Sequence, residues 1–273
     1  FAGLIPGSTI NGSTIGLSSL LTAYPEFTGV SETGLNEGSS YFHMGSVRLE
    51  KRFSGGFTLM ANYQFSKILT RISRLNDSDV QLIKRVAAED RPQRLTLNTS
   101  YELPFGRGKR FASSIGRFAD MLIGGWQTTG IIRWTSGFPF NVENGANFPT
   151  NYDIQGFATQ VGKIPHGRGK LQQQFADPAA VLAAFDFALP GESGSRNVLR
   201  GDGYFQEDAG LGKTVPLNDH TRVKAGIELF NVTNSVRFDS HSVSAVVDDT
   251  NSFGNATRTL TKPRLAQFYA RFE

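Results

Sequence analysis

Four short runs of this sequence carry residue types that could do chemistry. Gly210-Leu211-Gly212-Lys213-Thr214 ends like a phosphate-binding loop, in which glycine N–H groups and a lysine hold phosphate oxygens. The full pattern wants a glycine five residues before Gly212, where Glu207 stands, and a helix afterwards, where Val215-Pro216 predicts a turn. A nucleotide site is therefore rejected. Asp248-Asp249 with Asn251 offers the oxygen ligands that calcium prefers, but a solvated loop accounts for the same residues. Arg200-Gly201-Asp202 spells an integrin-type tripeptide at a loop-to-strand junction and reads as coincidence. His43, His166, His220 and His241 lie far apart and lack metal-ligand spacing. There is no cysteine, hence no disulfide and no thiolate, and Ser, His and Asp occur without a nucleophile elbow. The sequence thus predicts no catalytic, cofactor or metal residues and no enzyme.

The remaining chemical signal is a set of charges held in period two. Over residues 39–69 two arms alternate strictly around Ser54-Gly55-Gly56. Val47, Leu49 and Phe53, then Phe57, Leu59, Ala61, Tyr63 and Phe65, take one parity; Arg48, Glu50 and Arg52, then Thr58, Asn62 and Gln64, take the other. Alternation of this kind gives a β-strand one apolar and one polar face. The arms exceed the usual soluble strand of about 5–6 residues and suit a membrane-spanning strand of about 9–11. Further strands are predicted over residues 95–105, 126–140, 203–213, 222–230 and 264–273, about seven in all. With the apolar faces toward lipid, Arg48, Glu50, Arg52, Glu102, Arg133, Asp208, Lys224, Glu228 and Arg271 would face a lumen. There they would pair across strands. Lys51 and Glu207 fall on the apolar parity near strand ends, where a long side chain reaches the interface.

The bulk numbers agree with this architecture. The chain of 273 residues has 22 Phe and 30 Gly, suiting outward aromatics and many turns. Its mean hydropathy is −0.25, and no run of 18 apolar residues exists, which excludes a helical span but not a barrel. A scattered net charge of +4 argues against nucleic acid. Residues 1–38 read as an outer loop segment, 70–94 as a charged loop with a short helix near 80–88, and 141–201 as a long irregular loop, helical only near 178–185. Residues 111–123 predict a short helical turn. Short connections alternate with long ones, so every long loop falls on one side, as in outer-membrane barrels. The sequence therefore predicts an all-β fold, an antiparallel transmembrane β-barrel in part, with residues 39–273 forming strands and long extracellular loops.

Over nearly its whole length the chain resembles the C-terminal barrel of TonB-dependent receptors, of the Oar-like, carboxypeptidase-regulatory-like group common in Acidobacteria. The resemblance rests on Tyr24-Pro25-Glu26-Phe27-Thr28-Gly29-Val30, Glu50-Lys51-Arg52-Phe53-Ser54-Gly55-Gly56 and Asp90-Arg91-Pro92-Gln93-Arg94. It continues through Tyr101-Glu102-Leu103-Pro104-Phe105-Gly106-Arg107-Gly108-Lys109-Arg110, Ser136-Gly137-Phe138-Pro139-Phe140, Arg196-Asn197-Val198-Leu199-Arg200-Gly201 and Glu228-Leu229-Phe230-Asn231. It implies 22 strands, an N-terminal plug and a TonB box. Seven strands cannot close a bacterial barrel, where counts start at about 8, so the chain reads as part of a longer receptor. Phe1-Ala2-Gly3 shows no export signal, and Glu273 follows Phe272 where such chains usually end on an aromatic residue. The implied partners are outer-membrane lipid, the TonB system and an outside solute, a carbohydrate or oligopeptide. The implied location is the outer membrane of a Gram-negative bacterium. A passive porin or adhesin-like barrel and a secreted β-rich binding module are the alternatives.

Overall fold

The computed structural model describes residues 9–27, 29, 31, 33–34, 36–72, 81–148, 154–189, 192, 194–218 and 221–273. His220, residues 1–8, Thr28 and Val30, and the start of the helix predicted near 80–88 lie outside them.

The alternating segments form one antiparallel meander. Its long strands are β1 (Ser39–Ser54), β2 (Phe57–Arg71), β3 (Gln93–Glu102), β4 (Trp126–Thr135), β5 (Tyr204–Pro216), β6 (Arg222–Phe230) and β7 (Leu265–Phe272), each paired with the next in sequence. A two-residue strand, Arg85–Val86, adds to β2 beside Leu69 and Thr70. The β1–β2 hairpin closes as the sequence predicts. Gly55 and Gly56 both take positive φ, +61° and +80°, so Ser54 pairs with Phe57 across a two-residue turn of the hand that strand twist favours. A register shift between Lys51 and Ser54 marks a bulge just before it. Among the described residues β1 and β7 do not pair with each other, so the sheet is open.

No residue of the seven long strands is buried. Val47, Leu49, Phe53 and Phe268 are exposed on the apolar face, and among the described residues no second sheet covers them, which counts against the sandwich alternative. The buried core sits elsewhere. Phe140, Val142, Phe175, Val181, Phe185, Leu199 and Phe253 pack together in the connections after β4 and β6. Phe175 stacks on Phe253 with centroids 5.7 Å apart.

This core corrects the prediction of an irregular loop over 141–201, helical only near 178–185. The segment contains paired short strands, Glu143–Phe148 with Ile154–Phe157 and Thr159–Gln160 with Phe185–Asp186. Its helix, Pro178–Leu182, lies where the sequence places one; Asp177 caps it by accepting from the Ala180 N–H at 2.9 Å, and Pro178 opens it. The predicted fourth strand is also shorter. β4 stops at Thr135, and Pro139–Phe140 leaves the sheet to pair with Leu199–Arg200. The helix predicted near 80–88 is instead extended chain with the Arg85–Val86 strand. The predicted short helix within 111–123 is Arg117–Ile123, at the end of the sheet with the short connections.

Candidate functional site

The ladder registers place the nine charges of the polar parity on one face. Arg48 lies opposite Asn62, Glu50 opposite Met60, Glu102 opposite Gln127, and Arg133 between Thr96 and Gln206. Asp208 lies opposite Ile131, Glu228 between Gly210 and Gln267, and Lys224 between Thr214 and Arg271. Arg52 lies in the bulged stretch and joins this face through its contact with Glu50 at 3.6 Å. Among the described residues the predicted cross-strand pairing does not occur: Lys224 and Arg271, which stand opposite each other, carry like charge, and the other charges placed by the register face uncharged residues. Pairs run along strands instead: Arg48–Glu50 at 2.9 Å on β1 and Arg271 with Glu273 at 3.6 Å beyond β7. Along β5, Tyr204 contacts Gln206, which donates to Asp208 at 2.7 Å. Glu102 takes Lys109 of the following connection at 2.9 Å. Exposed pairs of this kind contribute about 0.2–1 kcal/mol each.

The opposite face is apolar and banded. One row runs Val47, Tyr63, Leu95, Trp134, Phe205, and another runs Phe57, Tyr101, Thr128, Leu211, Ile227, Phe268. Aliphatic and small residues such as Leu59, Ala61, Leu97 and Ile132 lie between them. Trp126 and Trp134 stand on this face at the two ends of β4. Eight residues span about 27 Å of strand, or about 20 Å across a layer for a strand tilted by about 40°. That is close to the outward apolar band of about 25 Å, flanked by aromatic girdles, that membrane barrels carry.

At the long-loop end, three segments meet at a buried ion pair. Asp90, fully buried, accepts from the Ile68 N–H at 2.8 Å and from Arg200 Nη2 at 2.8 Å. Arg200 Nη1 donates to the carbonyls of Asp90 at 2.8 Å and Gly137 at 2.7 Å, while the Arg91 guanidinium lies 3.7 Å from the Phe138 ring centroid. Two residues on, Asp202 accepts from Arg168 Nε and Nη2, each at 2.7 Å, and from the Phe238 N–H at 3.1 Å. The likeness of Arg200-Gly201-Asp202 to an integrin ligand is thus coincidental, as the sequence reading has it. Both charges of the tripeptide tie loops together.

The chain matches the family model of an outer membrane beta barrel domain over residues 4–267. It belongs to that family. No curated protein and no solved structure matches it. The open meander is accordingly a segment of outer-membrane barrel wall.

In this barrel wall the Gly210–Thr214 run lies inside β5, paired on both sides. Asp249 accepts from the N–H groups of Asn251 at 3.2 Å and Ser252 at 3.1 Å and from the Ser252 hydroxyl, so it builds a turn. Those bonds hold its carboxyl below the usual value. At Asp239 burial pushes the carboxyl up, but hydrogen bonds from the His241 N–H and ring, with Arg258 nearby, bring it below the usual value. The basic stretches 85–94 and 107–110 sit at opposite ends of the strands, and within the first of them Asp90 is a buried joint and Arg91 is half-buried against Phe138.

Three side chains that join segments of the fold escaped the sequence reading. Lys213 lies on the apolar parity of β5, beyond the charges foreseen there. Its ammonium donates to the carbonyls of Leu122 at 3.0 Å and Gly124 at 2.5 Å, and stands 4.7 Å from the Trp126 ring centroid. Asn231, at φ +53°, ends β6; its side chain donates to the Lys262 and Ser235 carbonyls and accepts from the Ser235 N–H. Asparagine tolerates positive φ, and that was the only available signal. Asp90 stood inside a matched motif, but nothing in the sequence named Arg200 as its partner.

Proposed function

We propose that this wall belongs to a TonB-dependent receptor that takes up a solute across the outer membrane of a Gram-negative bacterium, and that it is not an enzyme. Its apolar face meets lipid. Its polar face, with Arg48, Glu50, Arg52, Glu102, Arg133, Asp208, Lys224, Glu228 and Arg271, lines the lumen and contacts a plug. Residues 1–38 and the three long connections lie outside the cell. Further strands pair with the open edges of β1 and β7, because unpaired backbone groups are not tolerated in hydrocarbon.

The observation that carries the reading is the folded cap. A passive pore needs only a wall, whereas here the connections after β2, β4 and β6 are tied by buried residues into one body at one end. Such a body presents a fixed surface to a solute, a carbohydrate or an oligopeptide. Energy from TonB, transmitted through the plug, then opens the path.

Planar-bilayer conductance of the full-length protein tests this against a porin. A receptor with its plug conducts no steady current and retains a TonB C-terminal domain in a pull-down. A steady open-channel current without TonB binding would make the protein a passive pore.

A further inference from the structure

We propose that the connection between β3 and β4 seats the helix Arg117–Ile123 in the periplasmic leaflet of the outer membrane, with glycerophospholipid acyl chains covering its apolar stripe. Phe118, Met121 and Leu122 recur at the i, i+3, i+4 spacing that puts side chains on one helix face. All three are exposed, Phe118 at 84% and Leu122 at 71%. Phe105 and Phe111, with ring centroids 5.6 Å apart, add two more exposed rings to the same connection. Seven residues are too few for a helix to hold by itself in water, where fewer than about 12–15 are marginal. This one is held by the turn before it and by the wall. Asp120 accepts from the Arg107 N–H at 2.6 Å, and Lys213 donates to the Leu122 and Gly124 carbonyls at 3.0 and 2.5 Å.

The residues that hold the helix identify what covers the stripe. Lys213 and Trp126 stand opposite each other in the register, on the face that also carries Leu211, Ile227 and Phe268. Trp126 Nε1 also donates to the Leu122 carbonyl at 3.2 Å. The helix therefore ends against the apolar side of the wall, not against the lumen. Gly125 takes φ +73°, and a Cβ there would collide with the Thr214 carbonyl, so the chain leaves the helix pressed onto β5. β4 lies between β3 and β5, so strands added beyond β1 and β7 do not reach this helix, and a plug in the lumen stands behind the wall. The connection lies at the end with short connections, which is periplasmic in outer-membrane barrels. Interfacial helices bury an apolar face about 5–10 Å into the boundary between headgroups and acyl chains. Tryptophan at the end of a lipid-directed strand marks that same boundary. A periplasmic protein docked on the stripe would have to share it with the leaflet that Trp126 meets.

The inference rests on the apolar face meeting lipid, and the experiment separates the two. The full-length protein, with any native cysteine replaced, carries a single nitroxide at Phe118→Cys, Leu122→Cys or Leu97→Cys in phospholipid nanodiscs. Relaxation by oxygen and by a water-soluble nickel chelate gives the depth of each label. The labels at 118 and 122 should read about 5–10 Å below the headgroup boundary, with the label at 97 deeper. Nickel-accessible labels at 118 and 122 beside an immersed label at 97 would overturn the helix seat alone. A nickel-accessible label at 97 would overturn both readings. Shielding of 118 and 122 from both reagents would make the stripe a protein contact and overturn the lipid assignment. Lys213→Gln in the Leu122→Cys background removes the bonds to the helix end. The label at 122 should then lose depth and gain mobility, while the label at 97 and the heat-modifiable gel band stay unchanged. An unchanged label at 122 would overturn Lys213 as what seats the helix.

Discussion

The strands and the cap follow opposite burial rules within one chain. Every buried hydrophobic side chain among the described residues lies outside the seven long strands, while those strands expose Val47, Leu49, Phe53 and Phe268. A soluble sheet would cover such a face, since burying apolar area is the main favourable term in folding. The wall leaves that task to lipid. The cap, which lies in water, builds its own interior around Phe175, Val181 and Phe253. The two regions fold against different solvents and are joined at Asp90 and Arg200.

Substitutions should separate the regions. Phe253→Ala removes a nearly fully buried ring stacked on Phe175 and should cost the cap about 3–5 kcal/mol. Limited proteolysis should then cut within residues 141–201 while the barrel band stays heat-modifiable; loss of both together would show that the regions fold as one. Asp90→Ala leaves Arg200 without its carboxylate and should cost about 3 kcal/mol, the low end for breaking a buried pair because Arg200 is partly exposed. Faster proteolysis near Gly137 with unchanged strand content, read by circular dichroism, is the expected outcome. Leu97→Arg, between the two aromatic rows, should destabilise the wall by about 2–4 kcal/mol in lipid, and Asn98→Arg on the neighbouring position by far less. Equal costs in urea titrations from vesicles would remove the distinction between the faces.

The smallest effect concerns pH. Asp239 and Asp249 are held below the usual carboxyl value of 3.8 in the folded cap. Their contribution is complete above that value and disappears as the pH falls through the lower folded-state values. Acid below about pH 4 should therefore raise protease sensitivity around residues 239–252 before the strands change. A cap that loosened with rising pH through the same range would contradict the assignment.

The wall was legible because period two is written locally. Tyr63 and Gln64 reveal their faces by neighbour alone, and Gly55-Gly56 fixes the turn. Loop segregation also follows from connection lengths. The cap was not legible, because its pairings are remote in sequence: Asp90 meets Arg200, and Gln173 reaches Asn255 at 3.2 Å. Alternation likewise says which charges share a face but not which meet. Arg48 and Glu50 pair along β1, whereas register sets Arg48 against Asn62. Lys213 was missed for a related reason, since the carbonyls that hold it belong to the end of a helix far upstream.

The most direct test of the two-solvent account is spin labelling along β3. The chain has no cysteine, so single cysteines at residues 95–101 give clean sites once any native cysteine elsewhere in the full-length protein is replaced. In bilayers, labels at Leu95, Leu97, Thr99 and Tyr101 should be relaxed by oxygen, and labels at Thr96, Asn98 and Ser100 by a water-soluble nickel chelate. A two-residue alternation in opposite phase is the result the account requires. Uniform accessibility, or shielding of the odd positions from both reagents, would contradict a wall with one face in lipid.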